Sequence, residues 1–137
     1  MSRVHFVITS GAELPIYRQL MRQITDAIAG GRLRHGDKLG SQRELAERLV
    51  ISPLTVKKAY DELERDGIIR TERGRGTFVA SGAAELAPGE QRERLRGGVR
   101  ALLSRAHVGG VSVDQLIDLV KEVGEELERE RASRADD

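Results

Sequence analysis

Ser41-Gln42-Arg43-Glu44-Leu45-Ala46-Glu47-Arg48-Leu49-Val50-Ile51-Ser52-Pro53-Leu54-Thr55-Val56-Lys57-Lys58-Ala59-Tyr60-Asp61-Glu62-Leu63-Glu64-Arg65-Asp66-Gly67 contains two helix starts separated by one short turn. Ser41 followed by Glu44 is a capping box, in which the serine oxygen takes an orphan amide of the new helix and the glutamate reaches back to the serine amide. Leu45, Ala46 and Leu49 give that helix one inward face. Ser52-Pro53 repeats the start, with Ser as cap and Pro at the first helical position, where its missing N–H costs nothing. Val56, Ala59, Tyr60 and Leu63 line the buried side of the next helix, and Gly67 stops it. Two capped helices joined this way make a helix-turn-helix.

Outward from this core the signals stay consistent. Ile68–Thr71 and Gly76–Val79 are β-prone and flank the short connection Glu72-Arg73-Gly74-Arg75, which predicts a hairpin wing. Upstream, Tyr17, Leu20, Met21, Ile24, Ala27 and Ile28 follow Pro15 at helical spacing, and Gly30-Gly31 ends that helix. Leu33–Leu39 reads as a connection with a Gly36-Asp37 turn, and Val4–Ile8 as a short strand or arm. Residues 81–87 lack periodicity and read as a linker. Beyond them Leu95, Val99, Leu102, Leu103 and Ala106 mark one amphipathic helix, weakened by Gly97-Gly98. After Gly109-Gly110 and a capping box at Ser112–Gln115, a second stripe runs through Leu116, Leu119, Val120, Val123 and Leu127. Such a helical hairpin must cover its own domain or pair with a second chain, and the charged residues from about Glu128 on are expected to fray.

The fold class that emerges is mainly α with a small β wing. A winged helix-turn-helix (residues 1–80) precedes the linker, a helical dimerisation hairpin (88–132) and a frayed tail (133–137). At 137 residues the chain has no room for a large catalytic domain. Its net charge is +1, yet residues 1–80 carry 14 Lys/Arg against 10 Asp/Glu and residues 81–137 carry 9 against 12, so the two parts face different partners. The absence of cysteine excludes disulfides and thiolate metal sites, and His5, His35 and His107 have no ligand spacing, so no metal and no cofactor are expected. No apolar run approaches the length that crosses a bilayer and no secretion signal begins the chain, so it reads as a cytoplasmic protein that does not engage membranes. No nucleophile elbow or dinucleotide loop appears, and no enzyme is expected.

The helix that starts at Ser52 holds its positive charge in its first two turns, whereas Asp61, Glu62, Glu64 and Asp66 make the remainder mainly acidic. Only its N-terminal part can lie against phosphates, which is how a recognition helix enters the major groove. Arg43 has the planar fork that reads a guanine edge or clamps a phosphate. Lys57 and Lys58 suit phosphates. Ser41, Ser52 and Thr55 offer hydroxyls, Pro53 sets the helix start, and Leu54 can rest on a thymine methyl. In the wing, Gly74 permits close approach, and Arg73 or Arg75 can enter a minor groove. The rival reading is a winged-helix adaptor that binds protein and no specific DNA, because fold alone does not fix function.

Pro15–Leu20, Gly36–Leu39, Ser41–Ala46, Thr55-Val56, Ala59–Leu63, Asp66-Gly67 and Arg73–Val79 together resemble the GntR family of bacterial regulators, from about Pro15 to Ala80. The short two-helix tail is similar to that of the YtrA subfamily, whose C-terminal part mainly dimerises. The resemblance implies a homodimer on a roughly palindromic operator in double-stranded DNA, usually acting as a repressor. It implies DNA contacts at Arg43, Ser52, Pro53, Leu54, Thr55, Lys57 and the wing at Gly74. A small-molecule effector between hairpin and DNA-binding domain fits this reading, though no residue identifies one. Three positions depart from the family pattern. Gly40 replaces a proline, which is expected to loosen the approach to the helix at Ser41. Val50 replaces a glycine, and since a β-branched residue disfavours positive φ, that turn is expected to be built differently. Leu54 replaces a polar residue, which is expected to change base preference.

Overall fold

A helix with one apolar face needs partners on that face, and the first helix finds them on both sides of the chain. The computed structural model describes residues 4–81 and 89–135. In it α1 (Ile16–Ala29) buries Leu20, Ile24 and Ala27 fully, against α2 (Gln42–Leu49) and α3 (Pro53–Arg65). Leu45, Ala46, Val56, Ala59, Tyr60 and Leu63 supply the opposite wall of this core, as the periodicity requires.

The sheet closes the core from below. Strands β2 (Ile69–Glu72) and β3 (Gly76–Val79) pair antiparallel with Glu72 opposite Gly76, and Gly74 at φ +79° turns the loop between them. The wing has a third strand that the sequence reading takes for connection: β1 (Lys38–Leu39) pairs with β3, placing Lys38 opposite Phe78, so the order is β1-β3-β2. Two residues are too few to show an alternating pattern. Leu39 is nonetheless buried, with Ile69 and Val79.

The N-terminal arm is extended and forms no strand among its described residues. Two glutamines of α1 bind its backbone instead. Gln23 accepts from Val7 N–H at 2.8 Å and donates to Val7 O at 2.7 Å, and Gln19 does the same with Thr9 at 2.9 and 3.0 Å. Each side-chain amide stands in for a neighbouring strand, which satisfies the peptide groups and carries Val4 to the core edge.

The hairpin consists of α4 (Glu90–Val108) and α5 (Val113–Ala135). Its capping box forms in both directions: Gln115 N–H donates to Ser112 Oγ at 3.1 Å and Ser112 N–H to Gln115 Oε1 at 2.9 Å. The expected linker 81–87 lies, apart from Ser81, outside the described residues. Contrary to the expected fraying beyond Glu128, α5 continues through Ala135 because its end has polar partners. Arg131 donates to Ala29 O at 2.6 Å and Arg134 Nε to Gly30 O at 3.0 Å. These are carbonyls at the negative end of α1, where a cation is favoured. Gly31, at φ +79°, lets α5 come close: a Cβ there would stand 3.2 Å from Arg131 Cα. Near the start of α4, Arg94 pairs with Asp66 at 2.9 Å.

Those contacts leave the hairpin's apolar stripe uncovered. Among its described residues only Leu116 is buried in the single chain, whereas Leu95, Val99, Leu102, Leu103, Ile117, Leu119, Val120 and Val123 are exposed and Leu127 is half-buried. Among the described residues, the chain's own winged helix-turn-helix domain does not cover this stripe.

Candidate nucleic-acid interface

The two helix starts are built as their sequences dictate. Ser41 Oγ accepts from Glu44 N–H at 3.1 Å, and Ser52 Oγ from Leu54 N–H at 3.2 Å with Pro53 in the first turn. Between them the chain turns on Val50, at φ 55° and ψ 51°, with Ile51 N–H closing onto Ala46 O at 3.0 Å. This corrects the expectation of a differently built turn. The β-branched residue adopts the left-handed conformation that glycine would take, because the closing bonds and the burial of Leu45 and Val56 on either side demand it. Its side chain, 88% exposed, has nothing to clash with.

Gly40 likewise does not loosen the start of α2. Tyr60, 3% exposed, donates its hydroxyl to Gly40 O at 2.6 Å and so ties α3 to the residue before the Ser41 cap. Burial pushes the phenol well above its ordinary value, so it remains a donor throughout the neutral range. A long-range bond of this kind leaves no mark in the sequence pattern.

Of the residues singled out from sequence, Ser41, Arg43, Ser52, Pro53, Leu54, Lys57, Lys58, Arg73, Gly74 and Arg75 are exposed and Thr55 is half-buried. Their availability differs. Arg43 and Arg73 form no ion pair or hydrogen bond with the described residues, so both forks are open to an external acceptor. Lys57 pairs with Asp61 at 2.6 Å across one helical turn; an exposed pair of this type is worth roughly 0.3–0.5 kcal/mol and yields readily to a phosphate. Lys58 rests over the Tyr17 ring, 4.2 Å from its centroid, toward α1. Arg75 is held by Glu72 at 3.1 Å and lies 5.9 Å from the Phe78 ring. Leu54 stands 74% exposed, and nothing in the single chain explains an apolar residue there.

Sequence reasoning overlooks Lys38. Strand pairing brings its side chain against Gly76, where an added Cβ would meet Lys38 Cε at 2.7 Å, so a further ammonium stands beside the turn of the wing. Only the register of β1 on β3 reveals this. Among the described residues no group of three or more His, Asp or Glu could hold a metal ion, and no helix is long and apolar enough to cross a membrane.

Comparison with known proteins agrees with the fold. Residues 16–79 match the family described as bacterial regulatory proteins, gntR family. The chain is 38% identical over 113 residues to the HTH-type transcriptional repressor YtrA of Bacillus subtilis, covering 82% of this chain and 87% of that protein. YtrA from Sulfolobus acidocaldarius, a GntR-family transcription factor, superposes with a TM-score of 0.62 at 34% identity, over 89% of this chain and 98% of that one. The DNA-binding domain of AraR, solved in complex with operator ORX1, gives a TM-score of 0.51 at 28% identity over 57% of this chain and all of that one.

Proposed function

Because the chain belongs to the GntR family of bacterial regulatory proteins, in its YtrA branch, and is therefore a DNA-binding transcription regulator, we propose that it is a cytoplasmic repressor that grips a palindromic operator as a homodimer. One observation carries the reading of the DNA face. The start of α2 and the first two turns of α3 present hydroxyls and cations, the wing tip presents cations, and the forks of Arg43 and Arg73 have no acceptor among the described residues. In this reading Ser41, Ser52, Thr55, Lys57 and Lys58 meet the sugar-phosphate backbone, and Arg43 and Leu54 meet base edges. Pro53 fixes the helix start, and Arg73, Gly74 and Arg75 follow the minor groove. Asp61 and Glu64 then limit the reading surface to the N-terminal part of α3.

The uncovered stripe supports the dimer. Helices α4 and α5 cover each other poorly, and a contiguous apolar surface left open on a monomer marks an interaction site. Two-fold pairing through Leu95, Val99, Leu102, Leu103, Leu116, Leu119, Val120, Val123 and Leu127 places the two recognition helices about 34 Å apart, or a multiple of that. Residues 1–80 act as the DNA-binding domain and 88–132 as the dimerisation hairpin.

Operator sites selected from random DNA provide the test, read by fluorescence anisotropy over a salt series. Arg43→Ala should weaken binding by about 1–3 kcal/mol, roughly 5- to 150-fold, and relax selection at one position of each half-site. Val120→Asp should give a monomer in sedimentation. Unchanged affinity and selectivity in the first variant would remove Arg43 from base reading, and an unchanged oligomer in the second would remove the stripe from the interface.

A further inference from the structure

The arm, the loop after α1 and the last turn of α5 border an open cleft of about 790 Å³, which is within the range of small-ligand sites. His5, Gly31, Arg32, Arg34, Asp37 and Arg134 line it. It lies away from the DNA face. Gly36 N–H donates to Val79 O and Val79 N–H to Asp37 O, which puts the cleft at the end of the sheet opposite the wing tip, and no residue of α2 or α3 lines it.

The charge in this cleft is unbalanced. Arg32, Arg34 and Arg134 all line it, and no ion pair between described residues includes any of them. Asp37, the carboxylate in the lining, spends Oδ2 on the backbone N–H of Arg34 at 2.8 Å. Arg34 donates one Nη2 bond to Arg134 O at 2.7 Å, Arg134 donates Nε to Gly30 O at 3.0 Å, and Arg32 has no acceptor among the described residues. Each guanidinium carries five donors, so most remain unspent. Three arginines against the one carboxylate of Asp37 leave an excess of positive charge among the described lining residues, and planar forks favour carboxylate and phosphate oxygens bidentately.

From this we infer that the cleft binds a small oxyanion of at least two negative charges, a phosphoryl compound or a polycarboxylate, held by Arg32, Arg34 and Arg134. Such a ligand bridges the loop after α1 and the end of α5, and so joins the two parts of the chain that Arg131 and Arg134 already connect. The site stands on the cleft alone; only its role as an effector site rests on the regulator reading.

Inorganic pyrophosphate and citrate serve as probes of the full chain, with ionic strength matched by chloride. Calorimetry should show saturable binding of one or both, and the stronger of the two identifies phosphoryl or carboxylate chemistry. Amide shifts in nitrogen-15 spectra should fall at residues 31–37 and 131–135. Arg32→Gln, which breaks no contact between described residues, should weaken binding about tenfold, and operator affinity without the anion should stay within about twofold of native. Absence of saturable binding overturns the inference. So do shifts confined to Ser41–Lys57 and Arg73–Arg75, which would mean that the anion occupies the DNA-phosphate positions instead. Neither result touches operator recognition.

Discussion

Val50→Gly should stabilise the protein, which few substitutions in a helix-turn-helix do. A left-handed conformation costs an L-residue roughly 1–2 kcal/mol, and a β-branched side chain belongs at the upper end. Val50 sits at φ 55° and ψ 51° with its side chain 88% exposed, so its removal sacrifices almost no packing. Against the relief stands the greater backbone freedom of glycine in the unfolded chain, worth roughly 0.5–1 kcal/mol. The balance is a gain of about 1 kcal/mol. For a chain of 137 residues that is roughly 4 °C in Tm, or about 0.5 M in the urea midpoint with an unchanged slope. Urea unfolding followed by circular dichroism, at one fixed protomer concentration, measures it. Val50→Ala keeps the Cβ that causes the cost and should recover less than half of the gain. Equal midpoints for native and Val50→Gly, or equal gains for alanine and glycine, would refute the account of the turn.

Tyr60→Phe should cost about 1–2 kcal/mol in the same assay, since it leaves Gly40 O without its donor. The phenol's value is raised by folding, so its contribution is complete below its ordinary value of 10.0 and falls as the pH rises beyond it. The native protein should therefore lose stability above about pH 10 more steeply than the phenylalanine variant, as alkaline melts will show. Gly97→Ala should add about 1 kcal/mol: it lies on the face of α4 away from the apolar stripe, an added Cβ there meets nothing, and sedimentation should show the same association state. Gly31→Ala should cost about 1–2 kcal/mol, combining a positive φ with a Cβ 3.2 Å from Arg131 Cα, and hydrogen exchange should quicken at residues 131–135.

What was legible in the sequence was whatever repeats at a regular interval or sits at a helix end. The caps at Ser41, Ser52 and Ser112, the buried sides of three helices and the glycine turn of the wing all arise from local chemistry. Bonds between distant residues were not legible: Tyr60 to Gly40, Gln19 and Gln23 to the arm, Arg131 and Arg134 to the end of α1. A polar side chain on a buried face, such as Gln19, breaks the apolar pattern, and only the position of the arm explains it. Val50 shows the opposite failure. Its local preference was read correctly, and the closing bonds of the turn overrule it.

The contacts at the two ends of the hairpin bear on how a dimer measures its operator. Arg94 holds the beginning of α4 to Asp66, and Arg131 with Arg134 holds the end of α5 to α1. A hairpin fastened at both ends behaves as a bracket. In the proposed dimer the distance between half-sites is then set by that bracket and by the pairing of the stripes, so lengthening residues 81–87 should not widen the spacing the protein accepts. Releasing one guanidinium from its carbonyl should.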